Sequence, residues 1–367
     1  MMAVGYLALT YVLLFLIIFC GLTLYKKNLK NNIGYKICVG LFPLMLAIVT
    51  TFFVPLGDTD LRYQFQQIEQ LREVEFSTFF KDMFDNAMWG EYLIFWIFSR
   101  FKRVELYPFF FTTVIVGMVL ILGAKNNKKY ISAQTIIVSL LIYFAGNDLS
   151  SVFGGVRNRF VNGLIVLCIY EIIAEKKKAL PRLIIATISC FVHGSGVMIL
   201  IFAGLTFLLK GMKKVLFVFI PLLYPAILNV MEKTNNSIVQ YFTGKIKYYF
   251  EDSYELSFKM RLGGFLLLIF ILMAMRLINQ KCLTIQEKEY SNIVECYALF
   301  GIGCVFAPHI MLRQAGLCCC AILPLLSKIT LDKKRLTSCV FVGTIAILIN
   351  YTYGFLTLIE AYNFLLV

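Results

Sequence analysis

Long, almost uninterrupted apolar runs, separated by short clusters of lysine and arginine, constrain this chain more than any other feature. Tyr6 opens YLALTYVLLFLIIFCGL, Phe153 opens FGGVRNRFVNGLIVLCIY and Gly263 opens GGFLLLIFILMAM. A soluble domain is about half apolar and about a quarter charged. Here 60% of the 367 residues are hydrophobic, 15% are charged, and the mean hydropathy is +0.79. The runs lack the two-residue alternation of an outer-membrane barrel strand. Hydrocarbon offers no partner to a backbone N–H or C=O, so such runs must bond internally as helices.

The expected fold is therefore all-α, a polytopic membrane helix bundle of about 12 transmembrane helices. Candidate spans fall at 4–24, 35–56, 108–124, 131–147, 157–174, 180–193, 196–210, 215–230, 262–278, 291–307, 313–328 and 336–358. Several are shorter than the roughly 20 residues of a full crossing, which is tolerable where a helix lines a wet, protein-covered cavity. The first run lacks a basic start and an A-x-A-like cleavage site, so it reads as an uncleaved span. With no clear internal repeat and no low-complexity tail, residues 1–367 read as a single integral membrane domain.

Charge sets the orientation. With the N-terminus outside, the inner loops hold 21 of the 35 basic residues and six of the 21 acidic ones, a net of +15 against −1 outside. The overall +14 is therefore topology written by the positive-inside rule, not a nucleic-acid footprint. The stretch 180–210 decides the register. A single span there would move ten bases outside and bring only six in, so a hairpin folded at His193-Gly194-Ser195-Gly196 is favoured, with glycines that permit a tight turn. His193 then lies near the outer surface.

Two polar stretches remain outside, 57–107 and 231–261. The first reads as short amphipathic helices followed by WGEYLIFWIFSRFKR, re-entrant or lying in the interface, where Trp89 and Trp96 are at home. The second is rich in tyrosine and mixed charge, and suits either a lid over a polar ring or an interfacial helix. None of the eleven cysteines lies in these stretches. No disulfide framework is expected, and the cysteines read as small helix-packing residues. No Cys/His cluster has metal-ligand spacing, and no P-loop, GxSxG, HExxH or Rossmann fingerprint is present. No metal, cofactor or ATP coupling is expected.

Ionisable groups at the outer helix ends are functional candidates because charge at bilayer depth is costly. Arg157 and Arg159 open a helix in GGVRNRFVNG; interfacial snorkelling is the bland alternative. His193 can act as a base or donate to phosphate, or simply cap a helix. His309 and Arg313, four apart in APHIMLRQAG, share a helix face, and a guanidinium fork suits phosphate oxygens. Asp58 and Asp60 form a D-x-D just after a span, able to act as base, hold an arginine or bind sugar hydroxyls. Glu91, inside an apolar run, needs a partner, and Tyr63 lies one helical turn beyond Asp60.

The order GDTDLRY, GGVRNRF, a lysine-rich inner loop, CFVHGSGVMIL and HIMLRQAGLCCCAILPLL resembles the EpsG-type, Wzy-like polysaccharide polymerases over about residues 50–330. Where that family often has arginine-glutamine and a small residue, this chain has Arg157-Asn158-Arg159-Phe160, which leaves open which arginine is equivalent. The resemblance implies a GT-C-like membrane glycosyltransferase of the bacterial inner membrane, with its active face periplasmic. Its substrate would be an undecaprenyl-diphosphate-linked oligosaccharide, and its partners membrane lipids and a chain-length regulator protein. It implies a catalytic role for His193, Asp58 and Asp60, diphosphate binding by Arg157, Arg159 and Arg313, and substrate contacts from Glu91, Tyr63 and His309. An O-antigen ligase using the same donor, and a flippase for the same lipid, are the competing readings; a membrane acyltransferase fits less well.

Overall fold

The computed structural model describes residues 33–51, 53–55, 59–125, 133–147, 152, 154–208, 214–250, 258–280, 283–330 and 362–364. The spans expected at 4–24 and 336–358, and Asp58, lie outside them. In chain order the elements are α1 (Ile33–Thr50), β1 (Phe53–Pro55), α2 (Asp60–Gln70), α3 (Phe76–Met83), α4 (Trp89–Ser99), α5 (Leu106–Ala124) and α6 (Ala133–Gly146). There follow α7 (Val156–Ile173), α8 (Ala179–Cys190), α9 (Ser195–Leu208), α10 (Tyr224–Glu232), α11 (Ser237–Phe250) and α12 (Phe258–Asn279). The last are α13 (Ile285–Gly303), α14 (Pro308–Ala321), α15 (Ser327–Thr330) and β2 (Tyr362–Phe364). Among the described residues the chain is thus helical apart from one antiparallel pair of three-residue strands, in which Val54 faces Asn363.

Three described stretches are long and apolar enough to cross a membrane: Leu106–Ala124, Arg261–Asn279 and Pro308–Leu325. Shorter apolar helices are α8, α9 and the stretch Ile220–Glu232. The span expected at 215–230 is not one helix. It opens with two 3-10 turns, Lys214–Val218 and Ile220–Leu223, before α10. Pro221 and Pro225 each lack an N–H, which interrupts the i→i−4 ladder and favours the tighter turn. The helix expected to begin at Arg313 begins at Pro308, where a missing N–H costs nothing. Arg313 therefore sits in its second turn.

The chain divides into two compact units. The first comprises 1–81, 92–160 and 326–367. In it α1 and α6 flank α5, whose Tyr107, Phe111, Ile115, Val119 and Leu122 are buried. The amphipathic α2 buries Leu61, Gln64 and Ile68. Its end is tied to α4: Trp96 Nε1 donates to Val74 O at 3.4 Å, and the Arg100 guanidinium donates to Leu71 O and, at 3.2 Å, to Val74 O. Phe79 stacks on Tyr92 and Trp96 at 5.1 and 5.0 Å. With eleven residues, α4 is about 17 Å long and does not cross a bilayer.

The second unit comprises 82–91 and 161–325. Its centre is the packing of α12, α13 and α14, where Cys318, Cys319 and Cys320 are buried beside Tyr290 and Tyr297. Both tyrosine hydroxyls donate to carbonyls at 2.7 Å, of Ala321 and Ile199 respectively, so neither ring carries an unmet polar end. The outward face of α8 presents Leu180, Leu183, Ile184, Ile185 and Ile188, each at least 45% exposed, a surface suited to acyl chains and not to water.

The lysine-rich turn after α7 is closed by charge. Lys177 bonds the Glu171 and Glu175 carboxylates at 2.7 and 2.9 Å, and those carboxylates, Glu171 first, push the lysine pKa upward. Lys176 adopts φ 53°, the left-handed residue that ends the helix. A second polar knot joins the start of the Lys214–Val218 turn and the end of α12 to the middle of α13. The Lys214 ammonium bonds Asn292 Oδ1 at 2.6 Å and pairs with Glu295, Asn279 Nδ2 donates to Glu295, and Ser291 donates to Asn279 Oδ1 at 2.6 Å. Replacing Lys214 by Met leaves the largely covered Glu295 carboxylate without its cation. We expect a loss of about 1–3 kcal/mol, read as a lowered melting temperature in detergent, with Glu295→Gln milder.

Candidate functional site

The turn joining α8 to α9 is built from carbonyls at the end of one helix and amides at the start of the next. Val192 N and His193 N donate to Ser189 O at 3.0 and 3.2 Å, and Gly196 N donates to His193 O at 3.0 Å. Neither glycine takes a left-handed backbone; both serve the turn through close approach. A Cβ on Gly194 would meet the Phe242 ring at 2.9 Å, and one on Gly196 would meet Ile165 at 2.8 Å and Val161 at 3.0 Å. Thus α11 lies on the turn from one side and α7 from another.

A third element reaches the same turn. Gly90 lies against Phe191 so closely that a Cβ would stand 3.0 Å from its carbonyl carbon. Glu91 N donates to Phe191 O at 3.0 Å, and the Trp89 and Phe191 rings lie 5.0 Å apart. The backbone of Glu91, singled out in the sequence, is therefore tied two residues from His193 by an apolar run that does not span. Both are half-buried.

His193 is held by its own neighbours. Its Nδ1 accepts from Ser195 N at 3.2 Å and lies 2.8 Å from Ser195 Oγ. That hydroxyl lies 3.2 Å from the Asn162 side-chain oxygen. Asn162 is 4% exposed, an amide buried in the apolar face of α7. Sequence reasoning passed over Asn162 and Ser195. The signal was there, since an amide inside an apolar helix requires a partner.

On α14, His309 and Arg313 are half-buried in the first two turns, and Arg313 is followed by an almost wholly buried stretch. Leu312 packs where a Cβ on Gly264 would stand, and Gln314 where one on Gly301 would, so neighbouring helices approach this end of α14 closely.

The first unit holds the other candidates. Asp60 starts α2 behind the cap Thr59, whose hydroxyl accepts from Arg62 N at 3.4 Å, and Asp60 and Tyr63 are exposed. The Arg157 guanidinium lies 5.9 Å from the Phe95 ring centre, and Arg159 is half-buried. Gln64, not anticipated, is fully buried and donates to Gly154 O at 3.5 Å, tying α2 to the glycine pair that precedes the arginines. Asp60, Tyr63, Arg157 and Arg159 thus belong to one unit, and Glu91, His193, His309 and Arg313 to the other.

Comparison with family models, curated proteins and solved structures finds no match.

Gly90→Val places a branched side chain against the Phe191 backbone, which cannot move aside as a rotamer would. Overpacking of this kind costs about 1–3 kcal/mol. The expected result is a lower melting temperature in detergent, together with faster proteolysis near residue 191.

Proposed function

We propose that this chain is a polymerase of lipid-linked oligosaccharide repeat units, acting at the outer face of the bacterial inner membrane. In this reading it is a GT-C-like bundle of about 12 spans, built for O-antigen, capsule or exopolysaccharide. The observation that carries the proposal is the turn at His193. Polar groups, a carboxylate-bearing helix start and two aromatic rings gather on it. It opens α9, whose 14 residues run about 21 Å toward the lysine-bearing end of that hairpin. By the charge asymmetry the His193 turn is proposed to be the outer end and the lysine-bearing end the inner one.

The chemistry asked of such a site is modest. A hydroxyl of one lipid-linked unit attacks the anomeric carbon of another. The bond from that carbon to undecaprenyl diphosphate breaks, and the diphosphate leaves with the electron pair. The donor is already activated, so no nucleotide is consumed. Negative charge grows on the bridging oxygen, where Arg157, Arg159 and Arg313 are the cations proposed to stabilise it. The acceptor proton passes to a base, for which Asp58, Asp60 and His193 are the candidates. Glu91, Tyr63 and His309 are proposed to bind sugar. The apolar face of α8 is proposed to lie in lipid, and a chain-length regulator is the expected protein partner.

Singly made Arg157→Ala, Arg159→Ala, Arg313→Ala and His193→Ala are expected to include at least two that abolish chain elongation at normal membrane levels. The readout is the polymer ladder on surface lipid. A deletion strain should still display single repeat units; a deletion strain with no exported sugar at all would replace this reading with a flippase.

A further inference from the structure

Buried polar side chains in a folded protein normally have hydrogen-bond partners. Gln64 and Tyr107, both in the first unit, break this rule among the described residues. Gln64 is 0% exposed; its Nε2 donates to Gly154 O at 3.5 Å, and its Oε1 meets no donor. Turning the amide over does not cure this, because it would set Oε1 against the Gly154 carbonyl, acceptor against acceptor. Tyr107 is also 0% exposed, and its hydroxyl meets neither a donor nor an acceptor.

The two atoms belong to one end of one helix. Gln64 lies four residues after Asp60, on the same face of α2 and about 6 Å further along its axis. The exposed Asp60 carboxylate acts electrostatically on the Tyr107 hydroxyl. That hydroxyl is therefore covered but shallow. Tyr107 is the second residue of α5, and the Phe95 and Phe98 rings stand edge-on to its own at 5.8 and 5.3 Å. Phe95 in turn lies 5.9 Å from the Arg157 guanidinium. Ring packing alone fixes Tyr107, so its hydroxyl is not needed to hold it.

For packing, methionine and phenylalanine would fill these positions with the same shape and no unmet polar atom. The polar atoms ask for a particular ligand group. Gln64 Oε1 needs a donor, and the Tyr107 hydroxyl can donate once and accept as well. A hydroxyl satisfies both. Phosphate and carboxylate oxygens do not donate, and an ammonium does not accept. The exposed Tyr63 ring and the Asp60 carboxylate stand on the same turn of α2, an apolar and an acidic surface suited to the faces and edges of a sugar.

We infer that Gln64 and Tyr107 are ligand-binding residues, the floor of a subsite at the Asp60 end of α2 that recognises a sugar hydroxyl. On the polymerase reading, on which the identity of the sugar rests, this subsite seats a ring of the lipid-linked repeat unit. Both atoms are covered, so the ligand enters by displacing the Asp60 end of α2. The segment just beyond its other end stays tied to α4 through Trp96 and Arg100.

Tyr107→Phe removes one oxygen and keeps the ring. The probe is the undecaprenyl-diphosphate-linked repeat unit extracted from the deletion strain, titrated onto full-length protein in lipid nanodiscs. Affinity should fall about tenfold while the melting temperature holds or rises. A lower melting temperature with unchanged affinity would assign the hydroxyl to the fold or to an internal water and overturn the inference. Gln64→Met also loses the bond to Gly154, so its readout is affinity per folded protein, with a loss of about tenfold expected and no loss overturning the inference. Thr112 supplies a control: its hydroxyl is also buried and unpartnered among the described residues, but it lies about 140° around α5 from Tyr107. Thr112→Val should bind like the parent; a loss equal to that of Tyr107→Phe would trace both to packing and overturn the inference.

Undecaprenyl diphosphate without sugar is the second probe. Tyr107→Phe and Gln64→Met should bind it like the parent, and equal weakening of both probes would overturn the sugar assignment. If sugar binding weakens as expected but deletion leaves glycan length unaltered, the subsite stands and the polymerase reading falls. If deletion abolishes polymer but both variants bind and elongate like the parent, the polymerase reading stands and the subsite falls.

Discussion

Backbone amides and carbonyls that cannot reach water must find partners within the protein, and this requirement shapes every part of the described chain. It converts the apolar runs into helices. It places proline where an N–H is dispensable, as at Pro308, and accepts 3-10 turns where Pro221 and Pro225 break the ladder. It also explains the side chains spent on backbone: Trp96 and Arg100 on the carbonyls that end α2, and the two buried tyrosines on carbonyls of neighbouring helices.

Where helix ends meet, the same requirement creates polar concentrations within an apolar body. One, around Lys214 and Glu295, is internally satisfied and reads as a clamp. The other, around His193, directs a backbone N–H at the imidazole, with the Glu91 backbone and the α11 rings packed on the same turn. The contrast separates a structural knot from a candidate site. In the first, opposite charges neutralise one another. In the second, a backbone N–H holds one edge of an imidazole ring.

Much of the helical architecture was legible in the sequence because hydropathy and charge are local properties. The helices α5, α7, α8, α9 and α12 lie close to the expected spans. The hairpin at Gly194, which the placement of lysines and the glycines favour, is present. What was not legible depended on contacts between distant segments. The two glycines were read as turn residues, yet their need is for space against Phe242 and Ile165. Asn162 and Gln64 carry no motif, and their meaning appears only when Ser195 and Gly154 stand beside them. The strand pair is too short to leave a pattern, since three residues cannot show a period.

The bond from Glu91 N to Phe191 O carries a consequence for biosynthesis. Ribosomes add about 5–20 residues per second, so residue 191 emerges roughly 5–20 s after residue 91. During that interval Glu91 N lacks its carbonyl and Trp89 lacks the Phe191 ring, with only Phe84 from the earlier chain beside it. Trp89 can shelter at the headgroup boundary, which makes that boundary a waiting room for the nascent chain. The pause ends when the later hairpin arrives and offers its carbonyl.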